Sequence, residues 1–318
     1  MDLGKSVLVL ARENDSQLAR LEKVPHTTGS DASAFAEAAT AATAILNWSA
    51  SRGLLRTVLA ICPNVKWVHS RSAGLDGVLF PELVERDVIL TNSRGVFSAS
   101  LGEFTLAAIL YFAKDFRRMI RNQSVARWEP FDVEVIAGKT VGIVGYGDIG
   151  HAVAMRVHAM RMRVLATKRH VSQGSDPLIE RYYSPQQLRK MLADCDYVVV
   201  AAPLTEETRH MIGEPEFEAM KPSAVVINVG RGPVIHEEAL VKALISGRIK
   251  GAGLDVFEHE PLPSGHPLYR LENVLLSPHC ADNTPDWKDR AMDFFLHQYD
   301  RFAKYEPLEN VVNKRLGY

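Results

Sequence analysis

Arg231, Glu260 and His279 each stand in or just after a loop that follows a short apolar run, and together they have the side chains that a carbonyl reduction needs. Arg231 lies in Asn228-Val229-Gly230-Arg231-Gly232. A planar guanidinium there can grip a carboxylate through two parallel hydrogen bonds and polarise the carbonyl beside it. His279 follows an apolar run and Pro278, and is the natural proton donor to a developing alkoxide. Glu260, in Asp255-Val256-Phe257-Glu258-His259-Glu260-Pro261, is a carboxylate that can orient the imidazole and stabilise its protonated form.

A second constellation concerns a nucleotide. Gly145-Tyr146-Gly147-Asp148-Ile149-Gly150 fits GxGxxG, follows an apolar run over residues 140–144 and opens a helical pattern over 149–160. In that context the first glycine permits a tight turn, the second admits a pyrophosphate to the backbone and the third lets helix pack on strand. The next run ends in Ala166-Thr167-Lys168-Arg169-His170, where a carboxylate would bind the ribose hydroxyls of NAD. Lys168 stands in its place with Arg169 beside it, so with Thr167 the site suits a 2'-phosphate and predicts NADP(H) in preference to NAD(H).

The elements that must hold these residues follow from periodicity. Short apolar runs alternate with helix-period segments, the pattern of β-α-β units and of an α/β, doubly wound parallel sheet. Strands are expected at 7–10, 44–48, 66–70 and 88–91, with helical stretches at 16–22 and 54–61. A second series at 140–144, 163–167, 197–201, 224–228, 251–255 and 274–277 has the six runs of a complete dinucleotide fold. Between the series, residues 98–125 read as one long helix bridging two domains, and 286–305 as an amphipathic helix returning to the first. The alanine-rich stretch 32–44 reads as a helix. The expected division is a discontinuous substrate-binding domain, 1–96 with 287–318, and a dinucleotide-binding Rossmann domain, 97–286.

Composition excludes several classes. At 318 residues, 47% hydrophobic and 24% charged, the chain can bury two ordinary cores. A formal charge of -1 argues against nucleic acid or an anionic membrane as partner. Three cysteines, Cys62, Cys195 and Cys280, with no CxxC spacing support neither a disulfide framework nor a zinc site, and no metal is expected. The apolar segment 6–11 is too short for a signal sequence or a membrane span, so a cytoplasmic location is expected.

The segments GYGDIG, NVGRGPV, DVFEHEPLP and SPHCAD, in this order, resemble the D-isomer-specific 2-hydroxyacid dehydrogenase family over nearly the whole chain. The resemblance implies a Rossmann-type domain plus a smaller flavodoxin-like α/β substrate domain, and hydride transfer between NAD(P) and C2 of a small 2-oxo or 2-hydroxy acid. By the same likeness Arg231 binds and polarises substrate, Glu260 supports the histidine and His279 is the acid/base. Ser72-Ala73-Gly74-Leu75-Asp76 resembles the loop whose backbone N-H groups hold the substrate carboxylate, which makes Ala73 and Gly74 candidate contacts. The loop from Pro203 to Thr208 resembles one lying along the cofactor, where Val229 and Asp255 are also implied contacts, Asp255 reading the carboxamide. By the same resemblance, Ser98 and Ser100 are implied as polar cofactor contacts. The resemblance implies glyoxylate and hydroxypyruvate as leading substrates, through the NADP use of the family's reductases, and a D-2-hydroxy acid as product; residues 98–125 with Trp128-Glu129-Pro130 resemble dimerisation elements of a homodimer.

Departures from the family pattern leave alternatives open. Cys280 stands where Ile or Thr is common and is expected as a small packing residue. Asp282 and Asn283 replace small residues, and Arg71 and Arg94 are each either a contact to a second anionic group or a solvated charge. Glu260 speaks against formate-type relatives, which carry Gln; a redox-sensing co-repressor-like binding module, or an NAD-using dehydrogenase of the same family, remains the alternative.

Overall fold

The computed structural model describes residues 6–169 and 176–318; His170 lies outside them. The chain forms two compact units, Met1–Phe97 with Thr284–Tyr318, and Ser98–Asn283. Each is built on a parallel sheet, and the α/β class expected above is borne out.

In the first unit the strands are β1 (Ser6–Leu10), β2 (His26–Gly29), β3 (Ala42–Asn47), β4 (Trp67–Ser70) and β5 (Ile89–Asn92), in the flavodoxin-like order β2-β1-β3-β4-β5. Strands buried on both faces read as unbroken apolar runs, and Val7, Leu8, Val9 and Leu10 are all without exposure. The helix Trp287–Ala303 belongs to this unit, and its Phe295 stacks on Trp67 at 5.5 Å between ring centres.

The second unit carries β6 (Thr140–Val144), β7 (Arg163–Thr167), β8 (Arg181–Tyr183), β9 (Tyr197–Val200), β10 (Val225–Asn228), β11 (Gly251–Leu254) and β12 (Val274–Leu276), ordered β12-β11-β10-β9-β6-β7-β8. The order reverses between β6 and β9, the topological switch point where doubly wound sheets bind ligands. Helices Ser98–Ala113 and Asp148–Ala159 pack together in one layer, and Leu188–Asp194, Glu214–Ala219 and Glu237–Ile245 in another.

Two expectations change, and two strands were not foreseen. Residues 32–44 are not a helix: one 3-10 turn, Ser33–Phe35, precedes β3. Alanine's helix propensity yields there to burial of Ala42 and Ala44 in the sheet, both without exposure. The long helix over 98–125 is two helices, Ser98–Ala113 and Phe116–Ser124, because Asp115 turns left-handed (φ 49°) and its carboxylate caps the second by accepting from Arg118 N at 3.3 Å. Edge strands β2 and β8, short and partly polar, carry too weak an apolar pattern to read as strands.

His69, on β4 and fully buried, shows how the first core treats a titratable group. Thr91 Oγ1 accepts from Trp67 Nε1 at 2.8 Å and lies 2.8 Å from His69 Nδ1, while Ser93 Oγ, 3.3 Å from Nε2, donates to Ser70 O. These bonds are all satisfied by a neutral imidazole with its proton on Nε2. Burial pulls the group down to about 3 from 6.5. Unfolded, the ring takes a proton below about 6.5, and folded it does not, so this contribution to stability is present above that pH and is lost as pH falls towards 3. The unfolding free energy of the first unit, from urea titration followed by tryptophan fluorescence, is expected to fall between pH 6.5 and 4.5 by up to about 1.4 kcal/mol per pH unit. His69→Gln flattens that slope whatever its effect at pH 8; an unchanged slope counts against the assignment.

Candidate active site

The turn after β6 meets the end of β9 at the switch point. Gly145 has φ +92°, and a Cβ there would lie 2.6 Å from Ala202 Cα, so only glycine lets the turn sit against the neighbouring strand. Thr167, at the end of β7, fixes the turn twice: its hydroxyl accepts from Gly145 N at 3.0 Å and its carbonyl from Tyr146 N at 2.9 Å. Gly147 is the residue before the helix Asp148–Ala159, and a Cβ on it would meet nothing within 4 Å. Open space beside the unpaired N-H groups of a helix's first turn, including those of Asp148, Ile149 and Gly150, fits a pyrophosphate. The Asp148 carboxylate itself accepts the Ser98 hydroxyl.

Around that turn the loops are tied together. Thr208 Oγ1 donates to Pro203 O at 2.6 Å and accepts from Thr205 N at 2.8 Å, closing the loop after β9. Lys168 places its ammonium 5.9 Å from the Tyr182 ring centre, and Arg169 pairs with Glu207 of that same loop. Tyr146 donates its hydroxyl to Asp176 at 2.6 Å, and His151 Nδ1 lies 2.8 Å from the same carboxylate oxygen. Burial first, and the Asp176 bond second, push the Tyr146 phenol well above its usual range. No pattern in the sequence singled out Asp176, since its partners come from 25 and 30 residues away.

At the carboxyl ends of β10, β11 and β12 the three ionisable residues come from three successive loops of one sheet. His279 Nδ1 lies 2.6 Å from Glu260 Oε2. Glu260 is itself fixed, since Oε1 accepts from Phe257 N at 3.0 Å. The histidine sits in the left-handed region at φ +52°, a conformation that costs of order 1–3 kcal/mol and persists only where surrounding contacts impose it. Asp255 imposes it. Buried after β11, its Oδ1 accepts Ser277 Oγ at 2.6 Å and the backbone N-H groups of Cys280 and Ala281, each at 3.0 Å, while its carbonyl takes His279 N at 2.9 Å. Ser100 donates to Ala281 O at 2.6 Å, so its hydroxyl braces this loop.

Arg231 sits after β10 with Nη1 donating to Gly230 O at 2.8 Å. Its turn is held by buried Asn228, whose amide donates to Arg231 O at 3.1 Å and accepts from Gly230 N at 3.1 Å; Val229 is buried between them. Asn228 and the bracing role of Asp255 are features that spacing alone did not reveal. Cys280, expected to pack, is exposed, its N-H spent on Asp255 and its thiol 3.4 Å from Ser277 Oγ. Asp282 is pushed up by burial and by the charge of Asp255, against the opposing pull of His279 and Arg231. These directions put its carboxyl within the field of Asp255, His279 and Arg231.

In the first unit, Asn92 donates to Ala73 O at 2.6 Å and Ser93 N to Ser72 O at 3.4 Å, pinning the loop after β4. Among the described residues the backbone N-H groups of Ala73 and Gly74 have no acceptor, and both residues are partly exposed. Arg94 is engaged, donating from Nε and Nη2 to Asn310 at 3.2 and 3.0 Å. Among the described residues no helix is long and apolar enough to cross a membrane.

Comparison with known proteins bears on the family and the fold. Residues 106–281 match the family model for the D-isomer specific 2-hydroxyacid dehydrogenase NAD binding domain. The chain is 35% identical over 271 residues to a glyoxylate reductase of Korarchaeum cryptofilum, covering 81% of this chain and 79% of that one. Its fold is similar to a D-isomer specific 2-hydroxyacid dehydrogenase from Xanthobacter autotrophicus Py2 in complex with NADPH and MES (TM-score 0.82, 30% identity, 99% of both chains). It is also similar to an NADPH-dependent glyoxylate/hydroxypyruvate reductase from Sinorhizobium meliloti in complex with NADP and sulfate (TM-score 0.84, 26% identity, 99% of this chain and 100% of that one). With a matching family model over more than half its length and a nucleotide turn at the switch point of the matched sheet, the chain belongs to the D-isomer specific 2-hydroxyacid dehydrogenase family, NAD(P)-dependent oxidoreductases.

Proposed function

We propose that the protein reduces a small 2-oxo acid, glyoxylate or hydroxypyruvate in the first instance, to the D-2-hydroxy acid, with NADP(H) preferred to NAD(H). The observation that carries the reading is the 2.6 Å contact between His279 Nδ1 and Glu260 Oε2, on the same sheet edge as the glycine turn. A bound nicotinamide supplies the hydride that reaches C2. Glu260 occupies Nδ1 and so assigns Nε2 to the substrate, where it donates the proton that the carbonyl oxygen requires. Arg231, on a turn fixed by Asn228, binds the carboxylate and polarises the carbonyl. In the first unit, the backbone N-H groups of Ala73 and Gly74, without an acceptor among the described residues, are suited to bind a carboxylate.

Support for NADP(H) comes from Lys168 and Arg169 just after β7, where the sequence carries two cations in the place of a ribose-binding acid. Arg169 pairs with an exposed glutamate, Glu207, and surface pairs of this kind are worth about 0–1 kcal/mol, so a phosphate can compete for it. The relatives from Xanthobacter and Sinorhizobium hold NADPH and NADP.

A homodimer is part of the same proposal. Ile120, Val125, Trp128 and Val135, on and after the helix Phe116–Ser124, are 63%, 65%, 96% and 70% exposed, more apolar surface than a monomer usually shows in one stretch.

Steady-state assay of glyoxylate and hydroxypyruvate with each cofactor tests the reaction. Higher kcat/KM with NADPH than NADH is expected, and His279→Ala lowers kcat on the order of 100-fold, the usual size of general acid catalysis. Arg231→Ala raises KM and lowers kcat. Full turnover by His279→Ala, or a clear NADH preference, defeats the corresponding assignment. Light scattering at micromolar concentration is expected to give twice the 35.3 kDa chain mass, and Trp128→Glu with Ile120→Asp to give the monomer; a monomeric wild type refutes the dimer.

A further inference from the structure

At the carboxyl edge of the first sheet, Arg71 follows β4 and stands two residues before Ala73. Its guanidinium carbon lies 5.7 Å from the Trp48 ring centre and 5.4 Å from that of Trp287. Contact with an aromatic face engages the charge and consumes none of the five N-H donors. Among the described residues, the Arg71 side chain makes no hydrogen bond and no ion pair. Asp15, the carboxylate whose charge acts on it, spends Oδ2 on Trp48 Nε1 and Oδ1 on Gln17 N, both at 3.0 Å.

A half-buried guanidinium with unsatisfied donors is expensive unless something supplies acceptors. Next to it is a second orphan. Asn47, at the end of β3 and without exposure, pairs in register with Ser70, and its carbonyl takes Arg71 N at 3.5 Å. Its side-chain oxygen accepts the Ser49 hydroxyl at 3.4 Å, but Nδ2, buried, has no partner. Two neighbouring strand ends thus present a rigidly held fork of donors and a buried amide donor, both lacking an acceptor, at the edge where parallel sheets take ligands. The loop that continues from Arg71 carries the unpaired N-H groups of Ala73 and Gly74.

We infer that the Arg71 guanidinium, beside buried Asn47, forms a second anion site that receives the distal carboxylate of a 2-oxo dicarboxylic acid, whose C1 carboxylate is held by the 73–74 loop. The inference rests on the proposed reduction of 2-oxo acids and narrows its substrate class. The planar fork of Arg71 matches a carboxylate in two parallel bonds, and the two indoles hold it in place before substrate arrives, so little side-chain entropy is lost on binding.

The test uses two pairs of equal shape and different charge: oxaloacetate against 4-methyl-2-oxopentanoate, and 2-oxoglutarate against 5-methyl-2-oxohexanoate, with saturating NADPH. In the wild-type enzyme at least one dicarboxylate is expected to exceed its branched isostere tenfold or more in kcat/KM. Arg71→Met, which keeps an apolar stem against the indoles, lowers that ratio at least tenfold, chiefly through KM for the dicarboxylate, and Arg71→Lys retains part of it. A wild-type preference for the neutral member of both pairs overturns the site, as does a ratio unmoved in Arg71→Met. Should Arg71→Met fail to fold, the wild-type ratio and the Arg71→Lys enzyme still decide. If glyoxylate, hydroxypyruvate and all four compounds are left unreduced, the reading of the reaction fails; if the simple acids are reduced and neither dicarboxylate outruns its isostere, only the Arg71 site fails.

Discussion

One buried carboxylate, Asp255, holds the loop that carries His279. It closes β11 and gathers a hydroxyl and two backbone N-H groups from residues 277–281, while its own carbonyl takes the N-H of His279. A charged acceptor with three donors is satisfied in the interior, whereas the same carboxylate without them would not be tolerated there. The bonds converge on the one residue of the loop with a left-handed backbone. Strain at that histidine is thus offset by a network whose members lie behind it, in the manner of functional residues held away from their preferred conformation.

The position of that loop depends in turn on sheet order. Successive parallel strands deliver successive loops to one edge, so β10, β11 and β12 carry Arg231, Glu260 and His279 to the same edge of the sheet although they are 29 and 19 residues apart in sequence. The reversal between β6 and β9 opens the same edge to the glycine turn. Gly145 is where the two requirements meet, since the turn must pass within van der Waals range of Ala202 at the end of β9.

The second layer of contacts is polar and largely local to each loop. Thr208 closes its loop on Pro203, Asn228 closes the turn before Arg231, and Glu260 is bonded to the N-H three residues behind it. Each frees the neighbouring group of greater reach from having to hold itself in place. Asp282 adds a carboxyl that burial and the charge of Asp255 both disfavour as an anion, against the opposing pull of His279 and Arg231.

Signals carried by a few adjacent residues were open to reading from the chain itself. Apolar runs such as 7–10 and 197–200 are strands because both faces are buried, and GYGDIG is a turn because glycine is needed within a six-residue window. The alanine-rich stretch misled because helix propensity is worth tenths of a kcal/mol per residue, and burial of Ala42 and Ala44 in a sheet outweighs it. The break at Asp115 turned on a single side chain accepting from the backbone N-H three residues on. What only the tertiary structure decided were distances and partners across long separations: which oxygen of Asp255 meets which N-H, that Arg169 faces Glu207, that Asp176 reaches Tyr146 and His151, and that Arg71 lies between Trp48 and Trp287. Local sequence specifies backbone preference and polarity, but a hydrogen bond between residues 25 or more apart exists only once the sheet has chosen its strand order.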